Sequence, residues 1–285
     1  MQKLREKVMA GVFLGAALVS IFAVVLICIF LFANGVPAIM EVGWLNFLFG
    51  TEWRPMDNPP QFGIFPFILA SIYVTAGAVI IGVPIGIFAA VFMAKVCPKP
   101  IYRLMKPALD LLAGIPSVVY GFFGLMIIVP FVRENFGGTG SSILAASIIL
   151  GIMILPTIIG ISESAIRAVP DSYYEGAVAL GASHYRSVFA AVVPAAKSGI
   201  MASVILGIGR AIGETMAVIM VVGNQAQIPT GILEGARTLT ANIVLEMGYA
   251  SGLHRDMLIA TGVVLFVFIL IINLSFSYLK RRTAK

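Results

Sequence analysis

A chain of 285 residues that is 60% hydrophobic and 11% charged, with a mean hydropathy of +1.02, is not a soluble globule, in which about a quarter of the residues carry charge. It reads as an integral membrane protein. The net charge of +6 is distributed as a topology signal, described below, which argues against a nucleic-acid footprint.

Apolar runs long enough to cross about 30 Å of hydrocarbon recur six times, at about 8–32, 64–94, 111–131, 143–161, 198–222 and 257–279. Six spans put both termini on one side. Fourteen of the nineteen basic residues fall on that side: Lys3, Arg5 and Lys7, then Lys95, Lys99, Arg103 and Lys106, then Arg167, Arg186 and Lys197, then Lys280, Arg281, Arg282 and Lys285. By the positive-inside rule that face, with both termini, is expected to be cytoplasmic.

The first span opens on basic residues as a signal peptide does. Its apolar run is about twice a signal core and no small-x-small cleavage site closes it, so it is expected to stay as an anchor. Cys28 in this span and Cys97 near the end of the second are too far apart to pair, and neither His184 nor His254 has a neighbouring ligand set, so metal binding is not expected. A polar, Pro-rich external loop is expected over 33–62, with Trp44 and Trp53 as interface anchors. The alternative for this loop is a landing surface for an external binding protein. Pro84, between Gly82 and Gly86, is expected to kink span two.

In the third span Gly114, Pro116, Gly121 and Gly124 argue for a broken or closely packed helix. Ser117 and Tyr120 then become candidates to hydrogen-bond a passing polar solute, the alternative being packing through small residues. Span four is expected to end at Pro156-Thr157 and to lead through Ser162-Glu163-Ser164 into a polar stretch at 171–194.

That stretch carries Glu175-Gly176-Ala177, then Gly181, then Val192-Val193-Pro194. It is expected to form two short helices. Gly181 supplies the positive φ that ends the first, and Pro194 breaks the second. Glu-x-Ala, three residues, Gly, nine residues and an apolar-x-apolar-Pro close resemble the EAA loop of bacterial ABC-importer permeases. That resemblance implies a coupling helix docked into an ATPase subunit through Glu175, Gly176, Ala177, Gly181 and Pro194. Gly176 departs from the pattern, which has Ala there, and loosens the helix by up to about 1 kcal/mol.

Span five, read as one helix, contains Arg210 near its middle and Glu214 one turn on. Ser203, Gly207, Arg210, Gly213, Glu214 and Ala217 form a small, polar stripe opposite a greasy one at Ile205, Ile208, Ile212, Met216 and Ile219. A midplane charge costs several kcal/mol unless paired or hydrated, so Arg210 marks a functional hypothesis. The expectation is an anion-binding Arg210 restrained by an i,i+4 ion pair with Glu214, with Ser203 on the same pathway. A purely structural ion pair is the alternative. The last external loop, with Arg237-Thr238-Leu239-Thr240 and Glu246-Met247-Gly248, is expected to form a short interfacial helix around Ile243, Val244 and Met247.

Residues 110–124, 207–218 and 237–240 resemble the phosphate-specific (Pst) ABC importer permeases, and Gly213-Glu214-Thr215-Met216-Ala217-Val218 with Phe62-Gly63-Ile64-Phe65-Pro66 resembles their C-type subunit. The resemblance covers about 44–277. It implies an all-α, six-helix type I importer (MetI-like) fold in a bacterial cell membrane, alternating access, a second permease of A type, two copies of an ATPase and an external phosphate-binding protein. On this reading 1–63 is the first helix with its external loop, 64–279 the permease core with the coupling loop 171–194, and 280–285 a basic tail. No Gly-Lys-Ser/Thr phosphate loop is present, so the chain is expected to bind no cofactor and ATP to be used by the partner ATPase. Rival readings are a permease for sulfate or molybdate, a proton-coupled transporter using Glu214, and a membrane-embedded enzyme, for which no nucleophile-base set is evident.

Overall fold

The computed structural model describes residues 2–283, with side chains described over 5–275. The side chains of the basic tail and of Lys3 lie outside that range. Five helical stretches are long and apolar enough to cross a bilayer: Arg5–Val42, Phe65–Val96, Ser117–Phe136, Ile143–Arg167 and Gly252–Ser275. A sixth arises if His184–Ala195 and Lys197–Gly213, which meet at 70°, count as one broken span.

Helix α1 (Gln2–Val42) is exposed along most of its length and packs through its last turns, where Phe32 meets Phe266 edge to face at 5.9 Å. It runs through Pro37 and takes up the first ten residues of the expected external loop, because Ala38, Ile39 and Val42 join a buried cluster with Phe47, Phe62, Phe67 and Met257. The short helix α2 (Trp44–Phe49) follows, then a two-stranded antiparallel hairpin of β1 (Trp53–Arg54) and β2 (Gln61–Phe62), the only strands among the described residues. Trp44 is exposed and fits an interface anchor. Trp53 does not: it is 7% exposed and its indole Nε1 donates to Glu246 Oε2 at 2.8 Å.

Helix α3 (Phe65–Val91) extends as a π-helical turn to Val96 and packs along α7 (Ile143–Arg167), the most buried span. Ser142 caps α7, its hydroxyl accepting from Ala145 N. Pro156 does not end this helix. Met153, Ile154, Ile158 and Ile159 are buried on either side of it, and with the helix packed there the single missing backbone bond is tolerated, so α7 continues to Arg167.

Between α3 and α7 lie α4 (Lys99–Gly114), α5 (Ser117–Phe123) and, after a π-helical turn, α6 (Val129–Phe136). Ile115 and Pro116 are extended, which bears out the expected break. The polar stretch folds as α8 (Asp171–Ala179), α9 (His184–Ser187), a π-helical turn and α10 (Val193–Ala195). Pro194 lies inside this second helix, whose π turn absorbs the missing donor, and the chain bends two residues later at Ala196. Then come α11 (Lys197–Gly213), α12 (Met216–Val221), α13 (Leu239–Met247) and α14 (Gly252–Thr283).

Three buried clusters organise these elements. One fills the middle of the bundle, from Ala70 of α3 to Ile149 of α7 and Val221 of α12. A second joins α1, the hairpin, α13 and α14 at one end, and a third, with Met93, Ile166, Val188 and Val192, seats the polar stretch on the other.

Candidate functional site

Span five is not one helix. Glu214 and Thr215 leave helical geometry, with Glu214 extended, so Arg210 lies in the last turn of α11, which ends at Gly213, and Glu214 precedes α12. The expected i,i+4 ion pair is therefore absent. Glu214 instead turns its carboxylate onto the new helix, Oε1 accepting from Ala217 N at 3.2 Å, and its carbonyl accepts from Thr240 Oγ1 at 3.1 Å. The carboxylate that a proton-coupled mechanism would use serves as a helix cap, and the Thr238-to-Thr240 stretch straps the break.

Arg210 is half-buried, and its only hydrogen bond among the described residues is a long one, Nη1 to Thr157 Oγ1 at 3.4 Å. A guanidinium has five donors, so most are uncommitted. Gly209 and Gly213 beside it leave the helix surface open: apart from the chain neighbours and the helix's own backbone, nothing lies within 4 Å of where a Cβ would stand.

Tyr120 and Ser117 flank the other break. Pro116 cannot donate to the Leu112 carbonyl, and the Tyr120 hydroxyl fills that place at 2.7 Å. Tyr120 is thus already committed, whereas Ser117 heads α5 half-buried with no hydrogen bond among the described residues. The two broken spans meet closely: a Cβ on Gly121 would lie 2.9 Å from Ala217 Cα and 2.7 Å from Met220 Sδ, so only glycine fits. Ser203 stands apart from this group. It is fully buried and bonds Ser162 Oγ at 2.7 Å and Ile200 O at 2.7 Å.

At the end carrying the polar stretch, Gly181 has φ +86°. Ala182 N donates to Ala177 O at 3.1 Å and Gly181 N to Val178 O at 2.8 Å, the paired bonds that close a helix on a left-handed residue. Tyr174 and His184, bonded at 2.8 Å from hydroxyl to Nδ1, tie α8 to α9. Tyr173, Leu180, Tyr185 and Phe189 remain exposed, while Glu175 and Gly176 are exposed and Ala177 is half-buried. The stretch is folded, anchored beneath and apolar on its open side.

Two ion-pair clusters escaped sequence reasoning because their members lie far apart in the chain. Glu163, 2% exposed, receives Tyr102 Oη at 2.7 Å, Lys106 Nζ at 3.2 Å and Arg167 Nε at 2.7 Å, joining α4 to the foot of α7. The hydrogen bond to this carboxylate holds the Tyr102 hydroxyl above the usual phenol range. At the opposite end Glu246 receives Arg237 Nη1 at 2.7 Å and Trp53 Nε1 at 2.8 Å and pairs with His254 Nε2 at 2.8 Å. The Arg237 and Glu246 stretches stand out in the sequence, but nothing there points to Trp53 as their partner.

Residues 82–285 match the family described as binding-protein-dependent transport system inner membrane component. The chain belongs to that family. A probable ABC transporter permease protein, YqgH, of Bacillus subtilis strain 168 is 41% identical over 271 residues, covering 93% of this chain and 88% of the relative. The phosphate transport system permease protein PstC of Mesorhizobium japonicum is 36% identical over 85% of this chain and 79% of its own length, and that of Haemophilus influenzae 33% over 78% and 76%. Among solved structures, the inward-facing MetNI methionine ABC transporter matches 76% of this chain and 94% of that one at TM-score 0.61 and 20% identity. A bacterial alginate ABC transporter in complex with alginate pentasaccharide-bound periplasmic protein matches 96% and 95% at TM-score 0.67 and 17% identity. This member of the inner-membrane component family thus has the MetI-like permease fold and crosses the membrane several times.

Proposed function

We propose that this chain is the permease subunit of an ATP-driven importer for inorganic phosphate, and that Arg210 meets the anion during alternating access. Phosphate is the substrate in the names of the PstC relatives. What supports the residue assignment is a guanidinium inside the bundle with one long hydrogen bond and an open surface beside it. A charge so placed needs hydration or an anion, and the fork of a guanidinium fits two oxygens of a tetrahedral oxyanion. Ser117 supplies a further hydroxyl, and Tyr120 holds the break in span three open. Binding here is weak enough for inward release, with capture left to an external phosphate-binding protein.

On this reading the polar stretch faces the cytoplasm with both termini, and its open apolar side docks on an ATPase subunit through the shape set by Glu175, Gly176, Ala177, Gly181 and Pro194. The assembly has a second, A-type permease and two ATPase copies, which use the ATP. This chain itself binds no cofactor. The test is labelled-phosphate uptake by the co-purified complex in vesicles loaded with ATP. Uptake should need ATP, survive collapse of the proton gradient and be competed by phosphate rather than by sulfate or molybdate. Preferential competition by sulfate or molybdate would make it a permease for that oxyanion.

A further inference from the structure

Below the end of α3, where the π-helical turn meets the first turns of α4 and the foot of α7, lies a pocket of about 450 Å³. Four cations line it, Lys95, Lys99, Arg103 and Arg167, together with Tyr102 and Cys97. Two carboxylates answer part of this charge: Asp171 lies 3.7 Å from Lys95 Nζ, and Glu163 holds Arg167 from behind while also serving Lys106. Lys99 and Arg103 have no acidic partner among the described residues. They sit one turn apart on α4, a like-charge i,i+4 pair that repels unless an anion lies between.

We propose that this pocket binds a phosphate-bearing anion, with Lys99 and Arg103 as its principal ligands and Arg167, whose Nε is held by Glu163 and whose Nη2 donates to Met93 O at 2.8 Å, adding the donors of its Nη1. Its volume falls in the range of small-ligand sites. Its position suits such an anion twice over. The other face of α4 exposes Leu104 and Leu111, so the helix lies as an amphipathic element at the membrane boundary, where a basic hollow between helix ends meets anionic lipid headgroups. The same hollow is open to free phosphate on the side where the basic residues collect. The chemistry recognised is shared, a doubly or singly charged phosphate group held by forked and point donors. The inference does not depend on what the permease carries.

Cys97 is a built-in reporter, since the chain has only one other cysteine, Cys28, far off in α1. The Cys28→Ser chain, co-purified with its partners, is placed in phosphatidylcholine nanodiscs and its labelling by N-ethylmaleimide timed. The measurement is repeated with phosphatidylglycerol mixed into the disc, and separately with millimolar inorganic phosphate against chloride of equal ionic strength. An occupant slows labelling by 1 + [L]/Kd, about tenfold at ten times Kd. Slowing by phosphatidylglycerol alone identifies a lipid headgroup, and slowing by phosphate in phosphatidylcholine discs identifies the free anion. In either case Lys99→Gln/Arg103→Gln must abolish it. The proposal fails if neither addition slows labelling or if the slowing survives the double substitution. It also fails if Cys97 is already unreactive in phosphatidylcholine discs without phosphate, which would mean that a protein partner fills the pocket.

Discussion

Arg210 has donors to spare, whereas Glu246 is held by three partners, and the two respond to substitution in opposite ways. Arg210→Gln removes one charge-assisted, forked contact of about 1.5–3 kcal/mol, so labelled-phosphate uptake should fall about 10- to 100-fold while the complex assembles and hydrolyses ATP. Arg210→Lys should recover part of the rate, because a point charge replaces the fork. Parental uptake by Arg210→Gln would make the residue structural. Glu246→Gln leaves the Arg237 guanidinium facing a neutral amide in a buried site, and breaking such a pair costs about 3–5 kcal/mol. The expected result is a lower melting temperature in detergent, with purified yield falling before turnover does. Arg210 was legible as a cation in the middle of an apolar run. Its separation from Glu214 was not, because the hydrogen bond from Thr240 that holds the break open comes from 26 residues further along the chain.

At the scale of the element, the folded polar stretch turns on two glycines with different reasons. Gly181 sits at φ +86°, where a β-branched side chain is strained, so Gly181→Val should open the turn between α8 and α9. The chain should still insert, and ATP hydrolysis should become uncoupled from uptake or the ATPase should no longer co-purify. Gly176 is helical with open space around it, so Gly176→Ala should be accepted and add up to about 1 kcal/mol to α8, measurable as slower amide exchange there. The end of α8 and the break at Pro116 were readable because Gly and Pro act locally. Pro156 and Pro194 misled because the surrounding helix overrides a single missing donor, by tight packing in α7 and by a π-helical turn before Pro194. Trp53 misled for the same reason at longer range: an indole at the edge of an external loop looks like an anchor until Glu246 is seen behind it.

At the scale of the whole molecule, the central cluster ties α3, α7 and the two broken spans together, while the strongly basic pocket and the folded polar stretch share the opposite foot of α7. The stretch packs on α7 through Val188, Val192 and Ile166, and α7 carries Thr157, which takes the only hydrogen bond of Arg210 among the described residues, so on the proposed reading motion of the stretch would be felt there. Thr157→Val should therefore alter uptake more than ATP hydrolysis, a split read from the two rates measured on the same vesicles. The unpaired guanidinium has one more consequence, for the energised membrane. On the proposed reading, in which Arg210 faces the anion's passage, a fixed positive charge with no acidic partner among the described residues raises the electrostatic barrier to any cation entering it, protons included, as arginines do in water-selective pores. A permease with no anion bound would then sit in the membrane as an insulator. Replacing Arg210 with Gln should make it leak: vesicles carrying the variant, with no ATP and no phosphate, should dissipate an imposed pH gradient faster than the parent, as followed by an entrapped pH dye.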